Sequence, residues 1–251
     1  MSLCSGKTRR FHFHAQSDVG LIRTNNEDAL VLAPELGLFG ICDGMGGHAA
    51  GEVASAMAAN LIVEELKKNT LPLDDALKSA ILVANKRIFD DQKVHPEHRG
   101  MGTTLSVVWL PDGSDRAVLI GHIGDSRIYR YRGEQLEQLT DDHTPVFKLY
   151  RAGKLNKKQI MHHPQRNLLD RSLGLGSSAQ VDVFSVDVSP GDLFLGCTDG
   201  LNGLLGDDEI QSILNSSETH DVTVNRLISV ANERGGLDNT SIVLLKILNL
   251  D

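Results

Sequence analysis

Short apolar runs, most of them bounded by glycine, proline or other turn residues, recur along the whole chain. Such runs predict β-strands, because a strand ends where turn residues interrupt its apolar pattern. Strands are predicted at residues 11–17, 29–32, 36–42, 103–110, 117–123, 126–131, 135–139, 181–186, 192–197 and 240–247.

A helical period replaces this pattern in four places. Apolar residues recur every three to four positions over 51–68 and over the stretch that Pro72 opens, and shorter helices are predicted at 209–214 and 222–233. A polar, basic segment at 144–165 is expected to be a mostly helical insertion. Runs of strands joined by tight turns, with helices in pairs, favour an α+β fold of antiparallel sheets with helices packed outside them.

Composition narrows the class of protein. The chain has 251 residues, of which 33 are acidic and 25 basic, and the resulting charge of −8 argues against a nucleic-acid-binding surface. No apolar run approaches the roughly 18–20 residues of a membrane helix, and no signal peptide is recognised. The three cysteines, Cys4, Cys42 and Cys197, form no CxxC motif and are expected to be free thiols. We therefore expect one cytoplasmic domain spanning residues 1–251.

Acidic residues stand at the ends of the predicted core strands. Asp43, Asp125 and Asp199 each follow an apolar strand, and Asp238 directly precedes the last one. Carboxylates that converge at one end of a sheet repel each other, and a hard cation such as Mg²⁺ or Mn²⁺ is the usual remedy. Each acid by itself is also typical of a turn or a helix N-cap. The repeated placement favours a metal site.

A polar run near the N-terminus adds three candidates. Glu27 and Asp28 could hold metal-bound waters, and Arg23 has a planar guanidinium that matches a phosphate. The alternative for this run is a solvated turn.

The glycine-rich segment 43–51 permits a second interpretation. Its Gly44-x-Gly46-x-x-Ala49 pattern follows a strand and precedes a helix, as in dinucleotide-binding oxidoreductases. However, Glu64, which lies where that motif needs an acid at the end of a second strand, falls inside a predicted helix. The alternative is that Asp43 and the carbonyl of Gly44 bind the same ion, since glycine permits close approach.

Seven motifs in order resemble the PPM/PP2C metal-dependent serine/threonine protein phosphatases, in their bacterial form. They are Ser17-Asp18-x-Gly20-x-x-Arg23-x-x-Asn26-Glu27-Asp28, Asp43-Gly44-Met45-Gly46-Gly47-His48, Gly100-Met101-Gly102-Thr103-Thr104, Gly124-Asp125-Ser126-Arg127, Leu139-Thr140-x-Asp142-His143, Cys197-Thr198-Asp199-Gly200 and Asp238-Asn239-Thr240-Ser241. The resemblance implies a β-sandwich of two antiparallel sheets flanked by pairs of helices, with a mobile flap at about 144–166.

The resemblance also implies a centre of two Mn²⁺ or Mg²⁺ ions, with a third, weaker ion between Asp125 and Asp199. Asp43 would bridge the two ions and the Gly44 carbonyl would bind one of them. Asp199 and Asp238 would bind the other ion, with Glu27 and Asp28 acting through water. A hydroxide between the ions would attack phosphorus while Arg23 holds the phosphate.

Several expectations accompany this resemblance. Eukaryotic members commonly have a histidine, proposed as general acid, where this chain has Met45. His48 is then a candidate acid, or a residue that orients the loop. Asn167 and Arg171 are expected to brace the sheet, and Asn239 to orient Asp238.

The partners that the resemblance implies are phosphorylated proteins, among them a eukaryotic-like serine/threonine kinase, and the chain is expected to be a monomer. The alternatives are a non-catalytic regulatory module of the same fold and a phosphatase for a small phosphorylated metabolite.

Overall fold

The computed structural model describes residues 2–47, 50–68, 70–112, 117–216 and 219–250. The strands in chain order are β1 (Ser2–Lys7), β2 (Phe11–Asp18), β3 (Asp28–Ala33), β4 (Leu38–Met45), β5 (Gly102–Thr103), β6 (Leu105–Trp109), β7 (Ala117–Ile123), β8 (Arg127–Arg132), β9 (Gln135–Gln138), β10 (Asp182–Asp187), β11 (Leu193–Cys197) and β12 (Thr240–Ile247).

These strands form two sheets. The first sheet has the order β1-β2-β12-β11-β8-β9, and the second has the order β10-β7-β6-β4-β3, with β5 pairing to the end of β4. Every strand pair in the described part of the chain is antiparallel. The dinucleotide-binding interpretation is therefore wrong, because that fold needs parallel strands around its glycine-rich turn.

Helices α1 (Ala50–Lys67) and α2 (Leu73–Val94) cover the outer face of the second sheet. The outer face of the first sheet is covered by α5 (Asp199–Asn202), α6 (Asp207–Ser216) and α7 (His220–Glu233). Two short helices, α3 (Pro145–Arg151) and α4 (Lys157–Met161), pack on each other. Among the described residues, no helix combines the length and the apolar character that a membrane span requires.

The buried side chains form three layers of core. One layer, which includes Phe13, Phe39 and Val243, fills the space between the sheets. The next joins the second sheet to α1 and α2, and the third joins the first sheet to α5, α6 and α7. Along β12, Val243 belongs to the middle layer while Ile242 belongs to the outer one, as the twofold period of a strand requires. Burial on both faces explains the uninterrupted apolar runs of the sequence.

The predicted fold class is confirmed, and two local differences have physical causes. β1 was not predicted, because its Leu3 side chain stays exposed and the strand is held by main-chain pairing to β2. The predicted strand 103–110 is divided at Thr104, whose main chain turns to bond Asp43. The insertion predicted to be mostly helical at 144–165 contains two short helices, α3 and α4, separated by a turn.

Candidate active site

Antiparallel pairing brings the acids to one end of the sandwich. Asp28 opens β3 directly opposite Asp43, near the end of β4. Asp199 begins α5 just after β11, and Asp238 lies just before β12, the partner of β11. Asp125 follows β7. In an antiparallel pair, one strand ends at the edge where its partner begins. Side chains that are distant in sequence therefore meet at that edge.

A cavity of about 230 Å³ opens at this end of the sandwich. The lining residues are Arg23, Glu27, Asp43, Gly44, Met45, Gly46, Thr104, Asp125, Asn167, Leu169, Asp199, Asp238 and Asn239. Of the nine site residues predicted from the sequence, seven line this cavity. Asp28 lies behind it, and its carboxylate accepts a 2.9 Å hydrogen bond from Thr198. His48 lies outside the described residues.

Asp43 is held rigidly at the base of the cavity. Its main-chain N–H donates to the Thr104 hydroxyl at 2.8 Å, and its carbonyl accepts from the Thr103 hydroxyl at 2.9 Å. The carbonyl also accepts from the Thr104 N–H at 2.9 Å. Because its N–H and its carbonyl are both hydrogen-bonded, the main chain of Asp43 is fixed, and so is the position from which its side chain extends.

Gly44 is required by close backbone packing. A Cβ at this position would come within 2.1 Å of the Gly51 carbonyl oxygen and 2.5 Å of the Glu27 carbonyl oxygen. The Gly44 N–H donates to that Glu27 carbonyl at 3.0 Å. Glycine therefore lets β4, the 23–28 segment and the start of α1 meet beside the cavity.

The electrostatics of the cluster oppose full ionisation. Burial, followed by the charges of Asp28, Asp199 and Asp125, raises the pKa of Asp43 well above its usual range. Burial and the charge of Asp238 raise the pKa of Asp199 to about 6. Burial, ahead of the neighbouring carboxylates, raises the pKa of Asp28 to about 7. The cause is common to all three: acids withdrawn from water and placed beside each other.

Asp125 extends the cluster from the second sheet. Its side chain is 8% exposed, and burial together with the charge of Asp199 raises its pKa well above the usual range. The preceding Gly124 has a φ of +112°, and its N–H donates to Nδ1 of His143 at 3.1 Å. Asp125 follows this turn and lines the same cavity as Asp199.

Arg23 is in direct contact with one of the acids. One of its Nη atoms donates to Oδ2 of Asp238 at 2.8 Å, and both side chains are partly exposed. Its predicted partner is a phosphate, so binding of substrate would require Arg23 to exchange or share the Asp238 carboxylate.

Asn239 and Glu27 join two loops at the mouth of the cavity. The Asn239 side chain accepts from the Glu27 N–H at 2.8 Å and donates to the carbonyls of Val19 and Asn25 at 2.9 Å. The Asn239 main-chain N–H donates to Oδ1 of Asp238 at 2.9 Å, and the expectation that Asn239 orients Asp238 stays a prediction.

The sequence interpretation missed some of the lining. Asn167, expected to brace the sheet, lines the cavity instead, together with Leu169. Arg171 does brace the sheet, through a 3.2 Å hydrogen bond to Asp182 of β10. Asn167 and Leu169 lie in a segment without regular secondary structure, so no periodicity marked the direction of their side chains.

Comparison with known proteins agrees with this geometry. A model of the protein phosphatase 2C family matches residues 23–242. The serine/threonine phosphatase stp of Listeria monocytogenes is 35% identical over 243 residues, covering 94% of this chain and 95% of the relative. A crystal structure of the Mycobacterium tuberculosis serine/threonine phosphatase PstP/Ppp superposes with a TM-score of 0.86 at 33% identity, covering 96% of this chain and 99% of that one.

A further structure of a PstP catalytic domain, determined in complex with two manganese ions, has a TM-score of 0.83 at 31% identity, and covers 96% of this chain and 99% of that one. The resemblance noted in the sequence is thus confirmed over most of the chain. The chain belongs to the protein phosphatase 2C family, the metal-dependent serine/threonine protein phosphatases.

Proposed function

We propose that this chain hydrolyses phosphoserine and phosphothreonine in proteins, using divalent ions held in the acidic cavity. The observation that carries the proposal is the convergence of Asp43, Asp125, Asp199 and Asp238 on one cavity that Arg23 also lines. Carboxylates there share a single space and raise one another's pKa, which is the arrangement that bound cations relieve.

The donor set fits hard divalent ions. Oxygen atoms from several carboxylates and main-chain carbonyls are the ligands that Mg²⁺ and Mn²⁺ prefer. Asp43 would be the ligand that the two ions share, the Gly44 carbonyl would bind one of them, and Asp199 and Asp238 would bind the other. Glu27 and Asp28 would act through water. When bound, such ions lower the pKa of coordinated water and offset negative charge on phosphoryl oxygens.

Arg23 would bind the substrate phosphate. Its guanidinium already lies at the cavity and is half exposed, so its release from Asp238 costs little. A divalent ion on Asp238 would compete for the same carboxylate and leave Arg23 free to bind two phosphoryl oxygens. Metal binding and phosphate binding would then favour each other.

The leaving alkoxide of serine or threonine must gain a proton. Met45 lines the cavity but has no proton to donate. His48, the residue directly after the last described residue of this loop, remains our candidate general acid. Replacing His48 with glutamine would slow poor leaving groups such as phosphothreonine and spare aryl phosphates, whose leaving groups need no proton.

Water, rather than a thiol, is the proposed nucleophile. Cys42 and Cys197 are both fully buried, and neither lines the cavity. Burial raises the pKa of Cys197 to about 12 and that of Cys42 higher still, so neither forms the thiolate that a cysteine-dependent phosphatase uses.

The test is hydrolysis of an aryl phosphate and of a phosphothreonine peptide, with Mn²⁺, with Mg²⁺ and with EDTA. Wild type is compared with Asp43→Asn and with a matched control, Asp112→Asn, whose carboxylate is exposed and lies far from the cavity in an ion pair with Arg10. Turnover that requires metal and is lost only in Asp43→Asn supports the proposal. No turnover in folded protein under any metal would instead favour the non-catalytic module.

The identity and number of the ions belong to the same proposal. We propose two Mn²⁺ or Mg²⁺ ions at Asp43, Gly44, Asp199 and Asp238, and a weaker third between Asp125 and Asp199. The charge of Asp199 acts on the pKa of Asp125, which supports this last pairing. Calorimetric titration of wild type and Asp125→Asn with Mn²⁺ would show one weak equivalent fewer in the variant.

We further propose that the substrates are phosphoproteins that include a eukaryotic-like serine/threonine kinase, and that the chain acts as a cytoplasmic monomer. The unpaired thiols support a reducing compartment. Dephosphorylation of such a kinase, preferred over small phosphorylated metabolites, would support the partner. Light scattering and cell fractionation test the other two statements.

A further inference from the structure

A second group of possible metal ligands lies outside the acidic cavity, at the C-terminal end of α2. Asp91 is in the last turn of this helix, His95 follows its last residue, and His98 closes the short 3₁₀ turn Pro96–His98. One ligand atom from each of the three lies within 4.8 Å of the other two. We call Asp91, His95 and His98 the α2 cluster.

Both imidazoles converge on the same carboxylate. Nδ1 of His95 lies 3.0 Å from Oδ1 of Asp91, and Nδ1 of His98 lies 2.5 Å from Oδ2. The main chain holds this arrangement, because the His95 N–H donates to the Asp91 carbonyl and the His98 N–H to the His95 carbonyl. Two rings are thereby aimed at one point beside a single negative charge.

The helix end favours a cation at that point. The C-terminal end of a helix carries partial negative charge from its last carbonyls. Of the basic residues nearby, Lys86 and Lys93 both bind Asp90 at 2.5 and 2.6 Å, so their charges are matched by a carboxylate outside the cluster. Arg87, one turn before Asp91, and Arg99, directly after His98, are exposed, so solvent and salt screen their charges.

We propose that the α2 cluster binds one divalent ion of the zinc class, in a site distinct from the acidic cavity. Two imidazoles and one carboxylate are ligands of Zn²⁺, whereas the all-oxygen cavity suits Mg²⁺ or Mn²⁺. Ligands about 2.0–2.2 Å from Zn²⁺ stand roughly 3.3 Å apart, so small side-chain rotations convert the observed contacts into a coordination set. The His95 side chain is 46% exposed, which gives the ion a path from solvent and a water as further ligand.

The ion would fix the connection between α2 and the active site. Residues 95–101 lead directly into β5 and Thr104, which hold the main chain of Asp43. Gln92, one position after Asp91, already holds the C-terminal end of this segment by hydrogen bonds. Its side chain donates to the carbonyls of Met101 and Gly174 and accepts from the Gly100 N–H. The ion would hold the N-terminal end of the same segment, at His95 and His98.

The probe is Zn²⁺ titrated into the whole chain in excess Mg²⁺, which occupies the acidic cavity. The readout is the set of imidazole nitrogen signals in long-range ¹H–¹⁵N spectra, because the described lining of that cavity holds no histidine. We expect the Nδ1 signals of His95 and His98 to shift together and saturate at one equivalent. Zinc should also raise the melting temperature, since it binds the folded state.

Three variants and one control decide the assignment. Asp91→Asn, His95→Gln and His98→Gln should each weaken zinc binding at least about tenfold, the scale on which loss of a supporting group acts. His162→Gln, at an exposed histidine outside the cluster, should bind zinc as wild type does. Circular dichroism verifies folding, and the wild-type titration stands even where a variant fails to fold.

Histidine signals that do not respond to zinc, or equal affinity in all four variants, would overturn the proposal and leave Asp91 as a hydrogen-bond acceptor for two histidines.

Discussion

Two regions of this molecule bury charged side chains, and they treat the charge in opposite ways. In the acidic cavity, Asp43, Asp125 and Asp199 stand together and burial raises their pKa values. Beneath it, Arg127 donates to both oxygens of Asp142, at 2.8 and 2.7 Å. In the first region the protein matches only part of the acidic charge, through Arg23 on Asp238, whereas in the second it neutralises the charge internally.

The Arg127 region shows what a buried charge needs for structural stability. Arg127 also donates to the Tyr129 hydroxyl at 3.0 Å, which in turn donates to Asp207 at 3.0 Å. Although burial acts to lower it, the pKa of Arg127 is held above its usual range by Tyr129 and Asp142. A region so fully paired has no free ligand to offer, while unmatched acids in a cavity are typical of a functional site.

Asp43→Asn should give the largest effect on activity. We expect a loss of at least about a thousandfold in kcat, beyond the roughly 10²–10³-fold cost of one charge-stabilising donor, because Asp43 is the proposed shared ligand. Without metal the variant should be as stable as wild type or more stable, since one repelling charge is gone.

Metal-dependent turnover measures the expected loss of kcat, and melting curves with and without Mn²⁺ measure the expected stability. A variant that loses stability in EDTA would show that Asp43 belongs with the structural region rather than with the cavity. Asp112→Asn serves as the control for the loss of a carboxylate at the surface.

Asp142→Asn should give the largest loss of stability. Removing one partner of a buried pair leaves Arg127 uncompensated, which costs about 3–5 kcal/mol in the free energy of unfolding. Urea denaturation measures this loss, and the double variant Arg127→Leu with Asp142→Leu should recover part of it. If Asp142→Asn unfolded at the same urea concentration as wild type, the contrast between the two regions would be lost.

A histidine beside the structural region should make stability depend on pH. Burial lowers the pKa of His122 to about 3, and its ring contacts the Ser106 hydroxyl at 2.8 Å and the Asp141 carbonyl at 3.0 Å. Below about pH 6.5 the unfolded chain gains a proton that the folded chain refuses, so stability falls as pH falls toward 3.

The expected loss from His122 is about 1–2 kcal/mol between pH 6.5 and 5. Chemical denaturation of wild type and His122→Asn at several pH values isolates this contribution, because the acids of the cavity are common to both proteins. Parallel pH profiles for the two proteins would contradict the assignment.

Arg23→Ala should give the smallest effect. The pair with Asp238 is partly exposed, so stability should change by less than about 1 kcal/mol. Loss of a phosphate ligand should raise KM for a phosphothreonine peptide about tenfold, with a smaller change in kcat. Arg23→Lys should recover part of the affinity, since it restores the charge but not the bidentate geometry. A kcat that falls while KM stays constant would place Arg23 in the transition state alone.

The sequence predicted the elements and the acids with good accuracy because both depend on local pattern. The last strand was predicted at 240–247 and β12 occupies Thr240–Ile247, since both of its faces are buried and its apolar run is continuous. The helix predicted at 51–68 is α1 at Ala50–Lys67. The aspartates were found because each is adjacent to such a strand. The expectation of one domain over 1–251 stays a prediction, as do the chemical roles of the site residues.

Only the tertiary structure decided how these pieces meet. It placed Arg23 on Asp238 and Thr198 on Asp28, contacts between residues more than 150 positions apart. It turned Asn167 into the cavity from a segment with no period to read. The sequence determined which residues are buried and which are charged, because hydrophobic burial follows local spacing. Which charges become neighbours depends on the pairing of distant strands. The acidic cavity and the Arg127 region contain the same residue types, aspartate and arginine. Acids are clustered in the first and paired with a base in the second because different strands meet there.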